Sequence, residues 1–179
     1  FHFFINLADS LDVGVIGYDY IGYGLSEKSL PTEKKCYQSL KAVIDYVINM
    51  LGPEHQIFLI GQSLGTGVVV DYVSKHLWNN PIILISPYKT ICRIIWDNNC
   101  VTPMDQFKSN KKIKNVKCPV KIIHSSLDEL INISHAKELY ESLHNKSLEP
   151  LWLTDAGHND MLTYIKLLLA LANDSMTRS

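Results

Sequence analysis

Gly61-Gln62-Ser63-Leu64-Gly65 sets one serine between two glycines, after the apolar run Ile57-Phe58-Leu59-Ile60 and before the helical pattern Val68-Val69-Val70-Asp71-Tyr72-Val73. At a strand-to-helix junction this pattern makes a sharp turn that holds the hydroxyl proud of the backbone. Side chains in place of the flanking glycines would collide in so tight a turn. A serine hydroxyl is a poor nucleophile at neutral pH, so it needs a base, and the base needs a group to orient it. On a sheet of this kind the partners follow in the order acid, then histidine, each near the C-terminal end of a strand. Asp128 follows the run Pro119-Val120-Lys121-Ile122-Ile123-His124, and His158 follows Leu151-Trp152-Leu153-Thr154. In this reading His158 takes the proton of Ser63 and Asp128 orients the imidazole and stabilises its charged form. The backbone N–H of Leu64 donates to the oxyanion.

Each assignment has a plainer alternative. Ser63 could be a turn residue, Asp128 a loop or capping carboxylate, and His158 a helix cap. Glu129 adjoins Asp128 and Asp105 follows an earlier strand, so both compete for the acid, whereas Asp155 and Asp160 lie too near His158 in sequence. His124 ends a strand and reads as a core residue, while His2, His55, His76, His135 and His144 read as surface or helix residues.

The elements that must carry these groups are visible as alternating patterns. Val13–Tyr18 is a β-rich run leading into the glycine-punctuated loop Asp19–Gly24. Leu40, Val43, Ile44, Val47, Ile48 and Leu51 recur at helical spacing and stop at Gly52-Pro53. Pro81–Ile85, Pro119–His124 and Leu151–Thr154 read as further strands, Phe3–Leu11, Ser134–Leu143 and Asp160–Asn173 as helices. Residues 88–117 read as irregular, and their lysines 108, 111, 112 and 114 as a solvated face. That segment is too short for a large lid. Apolar, non-alternating strands that take turns with helices indicate an α/β fold, with a mainly parallel sheet covered on both faces.

The chain has 179 residues, 46% hydrophobic and 20% charged, with a formal charge of −1. That suits one soluble domain over 1–179 and gives no reason to expect nucleic acid or an anionic surface as partner. No apolar run reaches the roughly 18 residues of a spanning helix. Cys36, Cys92, Cys100 and Cys118 form no CxxC pair and read as reduced core cysteines of a cytoplasmic protein, not as a metal or redox site. No cofactor and no metal is expected.

Five ordered blocks carry a resemblance: Tyr18-Asp19-Tyr20-Ile21-Gly22-Tyr23-Gly24-Leu25-Ser26, Gly61–Thr66, Leu84-Ile85-Ser86-Pro87, His124-Ser125-Ser126-Leu127-Asp128-Glu129 and Gly157-His158-Asn159-Asp160. Together they resemble the α/β-hydrolase superfamily, in particular the branch of α/β-hydrolase-domain serine hydrolases that remove palmitate from cytoplasmic proteins. The resemblance implies a thioesterase acting on acylated protein, or an esterase acting on lipid esters, with Ser63, Asp128 and His158 matching the family triad. It also implies the C-terminal two-thirds of the α/β-hydrolase fold, lacking the first strands. The absent strand would lie between those ending at Tyr18 and Ile60 and would bring a second oxyanion donor. The chain departs from the branch at Ser125-Ser126, where Gly-Thr is usual. A cytoplasmic location, at the cytosolic face of membranes through segments not present, is the expectation for such a protein. A non-catalytic acyl- or partner-binding protein is the competing expectation.

Overall fold

Four short strands pair in the order in which the chain makes them, the middle two the more deeply buried. The computed structural model describes residues 2–53, 55–95 and 105–160. Strands β1 (Leu59–Gln62), β2 (Ile82–Ile85), β3 (Val120–Ser125) and β4 (Leu151–Leu153) form one parallel sheet with spatial order β1-β2-β3-β4. Between and before them lie α1 (His2–Leu11), α2 (Glu33–Leu51), α3 (Leu64–Lys75), α4 (Ile91–Ile95), α5 (Ser109–Lys112), a 3₁₀ turn (Ile113–Asn115) and α6 (Ser134–Glu141). The register pairs Gln62 with Ile85, Ile85 with Ile123, and Ser125 with Leu153. It thereby gathers the loops after all four strands at the C-terminal rim of the sheet, where open α/β sheets bind ligands.

The two faces of the sheet are sorted by alternation. Ile82 and Leu84 of β2 join a large core with Val120 and Ile122 of β3, Ile44 of α2, Val68 and Val69 of α3, and Leu139 of α6. Ile83 and Ile85 point to the other face, where they meet Ile123, Ala156 and Leu7 of α1. β2 is buried at every position, as a central parallel strand covered from both sides must be. Helix α2 starts at Thr32, whose Oγ accepts from the Lys35 amide at 3.3 Å, and stops at Gly52, which has φ 94°. The closing helix expected over 160–173 falls almost wholly outside the described residues.

Three expectations need correction. Val13–Tyr18 forms no strand: no strand of the sheet pairs with it, and a β run without a ladder partner cannot bond its backbone as a strand. Side chains hold it instead, Val15 against the smaller core and Tyr18 against the larger one. The described parts of the 88–117 segment, 88–95 and 105–117, hold α4, α5 and the 3₁₀ turn, and Lys112 is not on a solvated face. Its Nζ lies 2.7 Å from the buried carboxylate of Asp71 and donates to the Tyr37 hydroxyl at 2.8 Å, tying α5 to α3 and α2. Lys111 and Lys114 are exposed as expected. Finally, Cys36 and Cys118 are free but Cys92 is disulfide-bonded, so the four cysteines are not all reduced core residues. Burial pushes the Cys118 thiol up to about 11, as in a group used for packing.

Candidate active site

Ser63 sits between β1 and α3 with φ 48° and ψ −118°, a region that side chains other than glycine rarely enter. Such a conformation costs about 1–3 kcal/mol and persists only where its surroundings over-determine it. Here they do. The Ser63 amide donates to the Ile85 carbonyl of the neighbouring strand at 2.9 Å, and its carbonyl accepts from the amide and hydroxyl of Thr66 at 3.0 and 2.7 Å. Gly61 permits the tight return of the chain: a Cβ there would stand 2.6 Å from the carbonyl oxygen of Gly65. The second glycine is different. A Cβ on Gly65 would make only ordinary contact, 3.5 Å from the Tyr20 hydroxyl, so crowding explains Gly61 and not Gly65.

His158 Nε2 lies 3.2 Å from Ser63 Oγ, and its Nδ1 lies 3.0 and 2.9 Å from the two carboxylate oxygens of Asp128. A carboxylate only accepts, so Nδ1 carries the proton and donates. Nε2 then presents its lone pair to the serine hydroxyl, which donates to it. The structure thus brings together the three residues singled out in the sequence, from loops after three different strands. Leu64, the first residue of α3, presents one of the first-turn amides that have no partner within the helix. This arrangement can move a proton from hydroxyl to imidazole while a fixed anion balances the charge.

Asp128 is held from several sides. Its side chain is fully buried, and Oδ1 accepts from the amides of Leu130 at 3.0 Å and Ile131 at 2.8 Å. His124 Nε2 stands 3.3 Å from Oδ2 and also donates to the Ile131 carbonyl at 2.8 Å, and the Ser86 side chain bonds the carboxylate too. Burial by itself would raise the pKa of this acid. The bonds from His124, the Ile131 amide, His158 and Ser86 outweigh it and hold the carboxyl well below the usual carboxylate range. A carboxylate whose pKa is depressed on folding stabilises the fold fully above about pH 4, its unfolded value, and that contribution disappears as pH falls through the folded value.

Asp128→Asn is therefore expected to act on rate and on stability. The Asn oxygen can keep the Leu130 and Ile131 amides, but its NH₂ then faces ring nitrogens that need an acceptor. His158 would be pushed to the tautomer whose Nε2 is already protonated, lowering kcat by about 10⁴-fold. In acid titrations of unfolding, the stability gap between wild type and Asp128→Asn should be widest above about pH 4 and narrow at lower pH. A gap that widened toward acid would contradict this account of the carboxylate.

A cleft of about 470 Å³ opens over the serine, lined by Tyr20, Ile60, Gly61, Gln62, Ser63, Leu64, Gly65, His158 and Asn159. That volume lies within the roughly 300–1,000 Å³ of small-molecule sites. In the sequence Tyr20 stands out only as part of a glycine-rich loop. Burial raises its pKa, and its ring packs edge-on against Tyr18 with centroids 5.3 Å apart. The competing acids are accounted for elsewhere: Asp105 accepts from the Cys92 amide at 3.0 Å, Asp160 from the Gly157 amide at 3.2 Å, and Asp155 is exposed. Glu129 bonds the His158 backbone, not its ring. His124 and Ser86 are supports of the acid that residue type alone does not disclose. His135, expected at a surface or on a helix, opens α6 but is buried, and its Nδ1 accepts from the Lys89 amide at 3.3 Å.

Comparison with known proteins agrees with this geometry. The family profile of the alpha/beta hydrolase fold matches residues 1–84. The chain is 51% identical over 168 residues to a protein of Acanthamoeba polyphaga mimivirus named as alpha/beta hydrolase L404, covering 93% of this chain and 64% of that protein. It is 37% identical over 169 residues to human alpha/beta hydrolase domain-containing protein 17C, covering 93% of this chain and 50% of the relative. The chain thus spans less than two thirds of the length of these relatives. Among solved structures, one from a study of the metagenome-derived lipolytic enzymes LipS and LipT superposes with a TM-score of 0.74 at 15% identity, covering 99% of this chain and 88% of that one. The nearly complete coverage at so low an identity concerns the fold. With the parallel sheet, the serine turn at its C-terminal rim and the sequence kinship in agreement, the chain belongs to the α/β-hydrolase superfamily.

Proposed function

We propose that this protein is a serine hydrolase that cleaves acyl thioesters or esters through an acyl-enzyme, and that its substrate is S-palmitoylated protein. The observation that carries the hydrolase reading is the continuous relay from Ser63 Oγ through the His158 ring to Asp128, in a cleft large enough for a small-molecule ligand. The motif blocks shared with the depalmitoylating branch support the thioester and the protein substrate.

In this mechanism Ser63 Oγ attacks the acyl carbonyl as its proton passes to His158 Nε2. The negative oxygen that forms is met by the Leu64 N–H at the N-terminal end of α3. The tetrahedral intermediate collapses, the sulfur or oxygen leaving group takes the proton from His158, and the acyl group stays on Ser63. Water then attacks with His158 again as base, releasing the fatty acid and restoring the serine. Asp128 keeps the imidazole in the useful tautomer through both steps. In this reading the acyl chain of a membrane-bound protein is reached from the cytosolic face. Among the described residues no helix is long and apolar enough to cross a membrane.

The deciding experiment compares a palmitoyl-cysteine peptide with the matching oxygen ester and with a short acyl ester. The thioester is expected to be preferred by at least about tenfold in kcat/KM, since a thiolate is the better leaving group and the branch acts on it. Preference for the oxygen ester would favour a carboxylesterase or lysophospholipase. No turnover of any of them, with no fluorophosphonate adduct on Ser63, would favour a non-catalytic acyl- or partner-binding protein.

A further inference from the structure

The loop after β3 grips the histidine twice. Asp128 holds its ring, and the next residue, Glu129, holds its peptide: Oε2 of Glu129 accepts from the His158 amide at 3.0 Å. That amide bond is the chief reason the Glu129 carboxyl lies below its ordinary range, despite an exposed position. The preceding residue, Gly157, leaves room for this contact. A Cβ on Gly157 would fall 3.2 Å from Glu129 Oε2 and 3.1 Å from Asp160 Oδ2, tight enough that the carboxylates would have to move by a few tenths of an ångström.

Two residues before the histidine the loop is anchored by Ala156, fully buried in the smaller core, and among the described residues the bond from Glu129 is the hold on the His158 amide itself. The β4 ladder ends with Leu153 opposite Ser125, before the loop turns toward the cleft. On the far side of Gly157 the loop is closed by a local turn, in which the Gly157 amide donates to Asp160 Oδ2 and the Asp160 amide to the Gly157 carbonyl, both at 3.2 Å. Asp128 fixes the ring's tautomer and Nδ1, and Nε2 meets the serine, but these bonds act on the ring and leave the peptide that carries it to other contacts. The Glu129 bond is such a contact.

We propose that Glu129 is a positioning residue of the reaction: its carboxylate clamps the His158 peptide so that Nε2 stays at hydrogen-bonding distance from Ser63 Oγ. The inference rests on the reading of Ser63, His158 and Asp128 as the catalytic groups. Glu129 touches neither substrate nor reacting atoms. It acts through the histidine alone, so its loss should slow the chemical step and spare binding.

The test follows fluorophosphonate labelling of Ser63 in time, with ester turnover, for wild type, Glu129→Ala, Glu129→Gln and Gly157→Ala. Glu129→Ala is expected to slow labelling and kcat about tenfold with KM within about twofold, while the final labelled fraction equals that of wild type. Glu129→Gln keeps an acceptor oxygen and is expected to recover to within about threefold of wild type; Gly157→Ala should fall between the two, because it displaces the carboxylate without removing it. Labelling of Glu129→Ala at the wild-type rate would overturn the inference, as would a glutamine variant as slow as the alanine one. A lower final labelled fraction at an unchanged rate would mean a folding role only and overturn it equally. If Glu129→Ala does not fold, the glutamine and Gly157→Ala variants decide. A wild-type protein that never labels would overturn the reading of the site itself, an outcome distinct from these.

Discussion

Ser63→Ala is expected to lower kcat by about 10⁴- to 10⁶-fold while leaving the fold intact. The size of the effect follows from the role proposed. With the hydroxyl gone no acyl-enzyme can form, and only water positioned by the cleft and the Leu64 amide remains to attack. A second substitution separates chemistry from strain. Ser63 sits at φ 48° and ψ −118°, where alanine is as strained as serine but glycine is at ease. Ser63→Gly should therefore be as inactive as Ser63→Ala yet more stable, by about 1 kcal/mol or roughly 2–4 °C in Tm for a chain of this size. Steady-state kinetics and thermal unfolding of the two variants side by side measure both. Two variants equally inactive and equally stable would show that the turn stores no strain, and an active alanine variant would remove Ser63 from the mechanism.

His158→Ala is expected to be as damaging, by about 10⁴- to 10⁶-fold, whereas Asp155→Ala should stay within about twofold of wild type. Both residues belong to the loop after β4, but only His158 reaches inward. It is 6% exposed and bonded on both ring nitrogens, while Asp155 is exposed. Without the imidazole the serine keeps its proton, and no other described base stands at Ser63 Oγ. Because serine and histidine act as one unit, the double variant Ser63→Ala/His158→Ala should be scarcely worse than either single one. Loss of activity in Asp155→Ala with retention in His158→Ala would reverse the assignment of base and bystander.

Much of this site is legible in the amino-acid sequence, because its groups stand at the ends of strands that announce themselves. β2 is a continuous apolar run and β3 carries Val120, Ile122 and Ile123 around a half-buried Lys121, and a run buried on both faces leaves a clear pattern in the sequence. Strand β1 lies a little later than its apolar run suggests, since Gly61 and Gln62 complete the ladder while Phe58 and Ile57 stay outside it. The Val13–Tyr18 run marks where such patterns stop being informative. Val13, Val15, Ile16 and Tyr18 are β-prone residues, but pairing is a property of two segments, and composition reports only one. The supports of Asp128 are hidden for a related reason. The parallel register brings Ser86 to the acid and Glu129 to the histidine, and His124 reaches Asp128 across the turn after its own strand; none of this shows in residue type. Tyr20 is equally silent, since nothing in a glycine-rich loop says which side chain will turn toward the serine.

The register of the sheet also serves as a ruler. Ser63, Asp128 and His158 each hang from a different strand, and one residue of strand spans about 3.3 Å. A slip of one position between any two neighbours would carry a group farther than a hydrogen bond can stretch and turn buried side chains to the wrong face. Precision at the site is thus set in whole-residue steps by ladder bonds deep in the core, and only the last fraction of an ångström is left to the site's own contacts. It follows that loosening the core at Leu84 or Ile122, both fully buried, should not yield an enzyme of intermediate quality. It should yield fewer folded molecules, each as capable as before.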